Sequence, residues 1–328
     1  MKLDKTLSVL AAVAAISSLA CAATDAAAQS AAAWPSRPVH IVVPTPAGGP
    51  SDTIARTIAQ SLSAAWRQPV VVENKPGAGG ALAAQAAMAS PPDGHTLLWA
   101  PSSLAGLPMV QKNAPFRNLG ELSPVSNVVQ FEYALFVAND VPAKTFAELV
   151  AYGRANPEKL NFATGTLGEY MVGAHVLRSA GVKAVRVPYK GGAQVMPDLV
   201  SGQVQLNFGP IVSGLQHAKQ GRLKVLATML GQRSPLLPDV PTAAELGVAP
   251  AELPSWNAIY APRGTPRDVA EKIAGAVADV LRSPAIRATL AQQGAVPIGS
   301  TPQQLADATD AATAAWKAFV RDYEIPQE

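Results

Sequence analysis

The sequence predicts an α/β fold in which parallel-rich sheets are flanked by helices and the chain divides into two domains. From Val39 onward, short runs of β-branched residues alternate with segments of helical periodicity. The turns between them are short, and such connections are typical of parallel strands covered by helices. The 328 residues exceed what one hydrophobic core usually organises, so two domains are expected.

The first residues have the pattern of a cleavable secretory signal. Two lysines precede an apolar, alanine-rich stretch at 7–23, and small residues follow it. We expect the signal peptide at 1–28, with cleavage after Ala28, although a cut after Ala33 fits almost as well. Cys21 is the one cysteine in the sequence and lies in this segment, so the mature chain is expected to need no disulfide.

Composition and charge argue against several classes of protein. The sequence has 26 basic and 23 acidic residues, a formal net charge of +3, and these charges are scattered along it. That pattern does not favour nucleic-acid binding. The 4 histidines show no metal-ligand spacing, and neither a phosphate-loop motif nor a dinucleotide fingerprint occurs. We therefore expect no metal and no cofactor.

The first strand and the first helix enclose a bare turn. Residues 41–43 are β-branched and predict a buried strand, and apolar residues recur every fourth position over 54–62, which places them on one helix face. Pro50 suits the first helical position, and Asp52 stands where an acid could cap the helix. The uncovered backbone at 47–49 therefore suits an anion at the helix start. A tight turn that holds only water is the alternative.

The alternation continues along the rest of the chain. Further strands are predicted at 69–74, 95–100, 132–139, 159–164, 183–189, 204–209, 223–229 and 256–262. Further helices are predicted at 80–90, 145–156, 170–181, 193–202, 211–221, 267–283 and 303–323. The helix at 145–156 has its N-cap at Thr145 or at the residue before it. The last two helices are amphipathic and are expected to pack on the protein rather than on a membrane.

Six sequence blocks, taken in order, resemble the signature blocks of one receptor family. They are WPSRPVHIVVPTPAGGPSDTIAR, QPVVVENKPGAGG, PPDGHTLLWA, VPYKGGAQVMPDLVSGQV, RSPLLPDVPTAAELG and WNAIYAPRGTP. The chain resembles the Bug-type extracytoplasmic receptors, which are the solute-binding proteins of tripartite tricarboxylate transporters. The resemblance extends from Trp34 to near the C-terminus.

The resemblance implies a two-domain clamshell of the periplasmic-binding-protein type II class that encloses its ligand without catalysis. The domains would be 34–126 with 229–302, and 127–228, and a C-terminal helix at 303–328 could pack on the second domain. The implied partners are a small carboxylate ligand and membrane transporter subunits. A monomer in the periplasm is expected.

By the same analogy, the bare turn receives a ligand carboxylate. Ligands of parallel sheets bind at the carboxyl ends of the strands, so three further strand ends are expected across the cleft. A solvated loop is the alternative for Lys190, and packing under the cleft is the alternative for Tyr189. The candidate residues are Thr45, Ala47, Gly48, Gly49 and Ser51 on the turn, and Thr164, Gly165, Thr166, Tyr189, Lys190, Gly191, Asn207 and Gly209 opposite.

Several positions depart from the family pattern. Thr45 replaces a usual aromatic residue, Val172 a histidine, and Gln205 an aspartate. Glu169 lies in a turn that is usually G-x-G-[ST], where it would repel a second acid group unless it faces solvent or meets a ligand cation. The specificity therefore stays open.

Two other classes of function remain as alternatives. An exported hydrolase could use Ser51 as its nucleophile, but no motif places a base beside it and the G-x-S-x-G elbow is absent. A receptor that reports its ligand to a membrane signalling partner would share the fold and the site.

Overall fold

The computed structural model describes residues 34–229, 231–248, 255–325 and 327. The predicted signal peptide and both candidate cleavage sites lie outside these residues. Within the described ranges, no helix combines the length and the apolar character needed to cross a membrane.

Eleven strands and ten helices make up the described chain. The strands are β1 (Val39–Val43), β2 (Val70–Asn74), β3 (Thr96–Pro101), β4 (Ser123–Phe131), β5 (Tyr133–Ala138), β6 (Leu160–Thr164), β7 (Ala184–Pro188), β8 (Leu206–Pro210), β9 (Leu223–Thr228), β10 (Trp256–Ala261) and β11 (Ala295–Pro297). The helices are α1 (Pro50–Trp66), α2 (Ala81–Met88), α3 (Leu107–Val110), α4 (Phe146–Ala155), α5 (Leu167–Ser179), α6 (Val195–Val200), α7 (Ile211–Lys219), α8 (Arg267–Arg282), α9 (Pro284–Gln292) and α10 (Pro302–Asp322).

The strands form two sheets with the same internal arrangement. The six-stranded sheet has the order β11-β4-β10-β3-β1-β2, and the five-stranded sheet has the order β7-β6-β8-β5-β9. In each sheet three parallel strands lie side by side, and the next strand, β10 or β5, runs antiparallel to both of its neighbours. The two sheets, which the sequence predicts to be parallel-rich, are therefore mixed. The antiparallel strand in each sheet, β10 or β5, is the one that the chain forms on arriving from the other half of the molecule.

Each sheet with its packed helices forms one lobe. The chain passes between the lobes after β4, at Glu132, and again between β9 and β10. Beyond the end of β9, Ala243 and Val248 pack in the core of the second lobe, although the sequence assigned residues from 229 onward to the first domain. The domain limits themselves stay a prediction.

Helices cover both faces of the first sheet. On one face the periodic residues of α1, namely Ile54, Ile58 and Leu62, are fully buried together with apolar residues of α8. The other face packs against α2, the 3₁₀ turn Ser102–Gly106 and α10. The spacing that predicted α1 is thus confirmed as its core-facing stripe.

The last helix, α10, lies mainly on the first lobe. Its Trp316 is 1 % exposed and packs directly on the Gly106 backbone. Only its final turns reach the second lobe: the Phe319 ring lies edge-on to Tyr170 at 6.1 Å, and Arg178 stacks 4.6 Å from the Tyr323 ring centre. The suggested packing on the second domain therefore applies to the end of this helix.

Candidate ligand-binding cleft

A cleft of about 70 Å³ lies between the lobes. The first lobe contributes the β1–α1 turn, the end of β3 and the strands β4 and β10, and the second lobe contributes the starts of β5, α5 and α7. The lining residues are Thr45, Pro46, Gly49, Pro50, Ser51, Pro101, Ser102, Ser103, Phe131, Tyr133, Thr166, Gly168, Glu169, Gly192, Pro210, Ser213, Ser255, Trp256 and Asn257.

The start of α1 forms one wall of the cleft. Gly49 is its N-cap residue and makes no side-chain cap, and Pro50 occupies the first helical position. In the part of the chain that the structure describes, no protein acceptor is paired with the amide of Ser51 or of Asp52. Because the first amides of a helix have no partner within the helix, and because Ser51 lines the cleft, the Ser51 amide is a donor that this wall offers to an anion.

Asp52 reaches back over the same turn and occupies one of its amides. Its Oδ2 accepts the Gly48 N–H at 2.9 Å, and its carboxylate is also bonded by Arg56 and Asn74. Burial acts to raise the pKa of Asp52, but these hydrogen bonds outweigh it and hold the pKa below the usual 3.8. The Gly48 amide is consequently not available to a ligand.

The start of α5 faces this wall from the second lobe and repeats the arrangement. Thr166 caps the helix by accepting the Glu169 N–H, and Glu169 Oε2 accepts the Gly165 N–H at 2.7 Å. Asn207 Nδ2 donates to the same oxygen at 3.2 Å. Glu169 is 2 % exposed, and burial raises its pKa to about 7. Glu169 therefore does not face solvent. Of the two possibilities stated for this residue, contact with a ligand is the one that remains.

Buried polar atoms without partners mark the interior of the cleft. Thr45 Oγ1, Ser213 Oγ and Asn257 Oδ1 are buried and have no hydrogen-bond partner among the described residues, although buried polar groups are normally hydrogen-bonded. They come from both lobes. Burial raises the pKa of Tyr133 far above neutral pH, so its hydroxyl remains a donor. Among the described lining residues there is no lysine, arginine or histidine.

The structure brings some of the predicted residues into the cleft. The ones that line it are Thr45, Gly49, Ser51 and Thr166. Ser51 Oγ accepts the Trp99 indole N–H at 2.9 Å, so the Ser51 hydroxyl is held against the protein beside its free amide. The predicted residues that do not line the cleft are Ala47, Gly48, Thr164, Gly165, Tyr189, Lys190, Gly191, Asn207 and Gly209.

Several of these other residues have partners within the second lobe. Thr164 Oγ1 accepts from Arg186, and the Tyr189 hydroxyl donates to Asp198 at 2.6 Å. Burial and that carboxylate raise the pKa of Tyr189 to about 12. Lys190 is exposed. These contacts support the alternatives stated for Tyr189 and Lys190, and the ligand roles of both residues stay untested.

Gly165, Gly191 and Asn207 contribute to the shape of the site. Gly165 packs on the backbone of Gly191 and Gly192, and it donates with Asn207 to Glu169. A Cβ at Gly191 would lie 2.9 Å from the Pro46 ring, so the two lobes touch there. Gln205 lies elsewhere and bonds to Asn161.

Several residues that line the cleft were not predicted from the sequence. Ser102 and Ser103 follow β3 and could have been found by the rule that selected the other strand ends. Asn257 and Ser213 could not, because Asn257 lies near the start of an antiparallel strand and Ser213 lies within a helix.

Two lobes of matching strand order that enclose a polar cleft define the type II periplasmic-binding-protein fold. The chain belongs to the tripartite tricarboxylate transporter receptor family, whose sequence profile matches residues 54–325. This finding confirms the resemblance of the six blocks. Since this is a family of solute receptors, an enzymatic role for Ser51 has no support.

Relatives of known sequence and structure agree with this assignment. Protein BugT of Bordetella pertussis is 34% identical over 287 residues, which are 85% of this chain and 87% of BugT. A protein of R. palustris solved with adipate is 30% identical with a TM-score of 0.86, and 90% of this chain and 100% of that chain are covered. MatC of Rhodopseudomonas palustris with bound malate is 30% identical with a TM-score of 0.81, and 88% of this chain and 100% of MatC are covered.

Proposed function

We propose that this protein is a periplasmic receptor that captures a small organic carboxylate between its lobes and delivers it to a tripartite tricarboxylate-type transporter. The observation that carries the proposal is the set of buried, unpaired polar atoms of Thr45, Ser213 and Asn257. Leaving them unpaired is unfavourable for the protein alone. A ligand that bonds to them would remove that cost.

A carboxylate fits best at the start of α1. The unpaired amides of Ser51 and Asp52 lie at the positive end of the helix dipole, and the Thr45 hydroxyl lies on the same turn. Neutral donors can hold a carboxylate because they replace the water that it loses. This mode of binding needs no positively charged side chain, and the described lining contains none.

The remaining wall suits the carbon skeleton of the ligand. Phe131, Tyr133 and Trp256 line the cleft together with several prolines, and apolar walls with few polar groups are typical of small-molecule sites. Adipate and malate, which are bound in two relatives, are therefore suitable first probes.

Contacts between the lobes explain how binding would be coupled to closure. Pro46 of the first lobe meets Gly191 of the second, and Ser103 lies near Gly168. These contacts exist only while the lobes are together, so a ligand that bridges them favours this state over an open one. The transporter would then recognise the closed receptor.

A thermal-shift and calorimetric screen of carboxylates tests the proposal. A carboxylate at 100 times its Kd should stabilise the protein by about 2.7 kcal/mol. Thr45→Val should weaken binding about five- to tenfold without lowering the free energy of unfolding of the ligand-free protein, because the buried Thr45 hydroxyl has no partner among the described residues.

Thr289→Val is the matched control, since the Thr289 hydroxyl donates to Ala285 on an exposed part of α9 and its removal should leave affinity unchanged. If no carboxylate shifts the melting curve, or if a bound carboxylate is consumed, the receptor proposal is wrong.

A further inference from the structure

Glu169 presents one oxygen to the cleft that accepts no hydrogen bond from the part of the chain that the structure describes. Its Oε2 is held by Gly165 and Asn207. Its Oε1 lies beside Gly192, where an added Cβ would be 3.3 Å away, and has no hydrogen-bond donor among the described residues. Because Glu169 lines the cleft, Oε1 is an acceptor that is available to a ligand.

Helix capping does not account for a carboxylate at this position. Thr145 and Glu148 form the same arrangement at α4, where Glu148 accepts the Lys144 N–H at 2.6 Å but is exposed. At α10 the capping group is Gln304, which is neutral and accepts the Thr301 N–H at 2.9 Å. Capping therefore requires neither burial nor charge, whereas Glu169 has both a buried position and an ionisable group.

We infer that Glu169 selects ligands that carry a carboxylate at one end and an ammonium group at the other, in preference to dicarboxylates. The inference rests on the proposed function, since it assumes that the start of α1 holds the ligand carboxylate. The opposite end of the ligand then meets Glu169 across the cleft.

The electrostatics of the lining oppose a second carboxylate at that end. No basic side chain of the described lining faces Glu169, and two carboxylates that share a buried site without a countercharge repel each other. An ammonium group would instead pair with Oε1. It could also donate to Asn257 Oδ1, which is buried and unpaired, and the rings of Tyr133 and Trp256 favour a cation nearby.

Few charged groups compete with a ligand for Glu169. Tyr133 of β5 is the titratable group that it influences, and the negative charge on Glu169 raises the pKa of that hydroxyl further. Arg186 is engaged with Thr164 and stacks on Tyr170, and Lys190 is exposed on its loop. The first lobe contributes uncharged serine and proline residues opposite.

The protonation state of Glu169 makes the two ligand classes distinguishable. Its pKa of about 7 leaves the group roughly half ionised at neutral pH. An ammonium ligand stabilises the carboxylate and should expel a proton on binding. A dicarboxylate requires the neutral acid and should take up a proton.

Calorimetry with matched ligand pairs tests the inference. The pairs are 4-aminobutyrate with succinate, and 6-aminohexanoate with adipate, at pH 7.5. We expect the wild-type protein to bind the better amino acid at least tenfold more tightly than its dicarboxylate partner. Glu169→Gln should reduce that ratio at least tenfold, because glutamine keeps the cap but removes the charge.

Glu148→Gln is the control, since it neutralises the same capping motif outside the cleft and should leave the ratio unchanged. Tighter binding of the dicarboxylates, or a ratio that Glu169→Gln does not alter, overturns the inference and leaves the receptor function intact. Absence of binding by all four probes overturns the inference, and failure of the wider carboxylate screen overturns both.

A measurement on the wild-type protein avoids dependence on the variant. Binding enthalpies at pH 7 in two buffers with different ionisation enthalpies report the protons exchanged. Up to about half a proton should be released with 4-aminobutyrate or 6-aminohexanoate. Uptake of protons with these ligands, or no exchange, contradicts the pairing with Glu169.

Discussion

The buried carboxyl of Glu169 should make the ligand-free protein less stable as the pH rises. The pKa of a glutamate is usually 4.5, and burial raises that of Glu169 to about 7. Each pKa unit of difference between the folded and unfolded states changes the free energy of unfolding by about 1.4 kcal/mol. Below pH 4.5 the folded and unfolded states both keep the proton. Between about pH 4.5 and 7 only the folded state keeps it, so the free energy of unfolding should fall by about 3 kcal/mol and then level off.

Urea unfolding of the wild-type protein and Glu169→Gln from pH 4 to 8.5 measures this difference. The neutral variant retains the cap, as Gln304 does at α10, and lacks the titration. The wild-type free energy of unfolding should therefore fall relative to the variant across that pH range. Glu148→Gln, at an exposed cap, should follow the wild type. Parallel curves for the wild-type protein and Glu169→Gln would refute the burial argument.

Two further substitutions test the packing of the lobes. Trp316→Ala should lower the free energy of unfolding by about 3–5 kcal/mol, because the ring is 1 % exposed against Gly106; an unchanged urea midpoint would contradict this. Gly165→Ala should weaken carboxylate binding at least tenfold in calorimetry, because a Cβ there would overlap the amide of Gly192 and displace a cleft residue. Wild-type affinity in this variant would show that the close approach is unimportant.

Local signals were sufficient to predict most of the fold. The apolar spacing of α1 and the N-cap at Thr145 depend on neighbours in sequence, and both are present in the structure. Strand β4 was missed because Ser126 and Asn127 interrupt its apolar run. Their polar groups bond to Ser300, far along the chain, and a partner of that kind cannot be identified from a local pattern.

More of the predicted residues line the cleft on the first lobe than on the second. The β1–α1 turn reaches the cleft because its glycines and Pro50 leave the helix start bare. On the second lobe, the rule that ligands bind at strand ends selected Thr164 and Asn207. The side chains of both residues form hydrogen bonds within that lobe. The sequence flagged Glu169 as a departure from the family pattern, and only the three-dimensional arrangement shows that it is buried at the cleft.

The lack of basic side chains around the described cleft also bears on how quickly a ligand is captured. Charged side chains that line a cleft attract an anion from a distance, and this attraction weakens with ionic strength, whereas amide and hydroxyl dipoles act only at short range. The side chains that line the cleft would therefore add little steering to the diffusion of an anionic solute. Any dependence of the capture rate on ionic strength would then come from charges elsewhere on the protein surface.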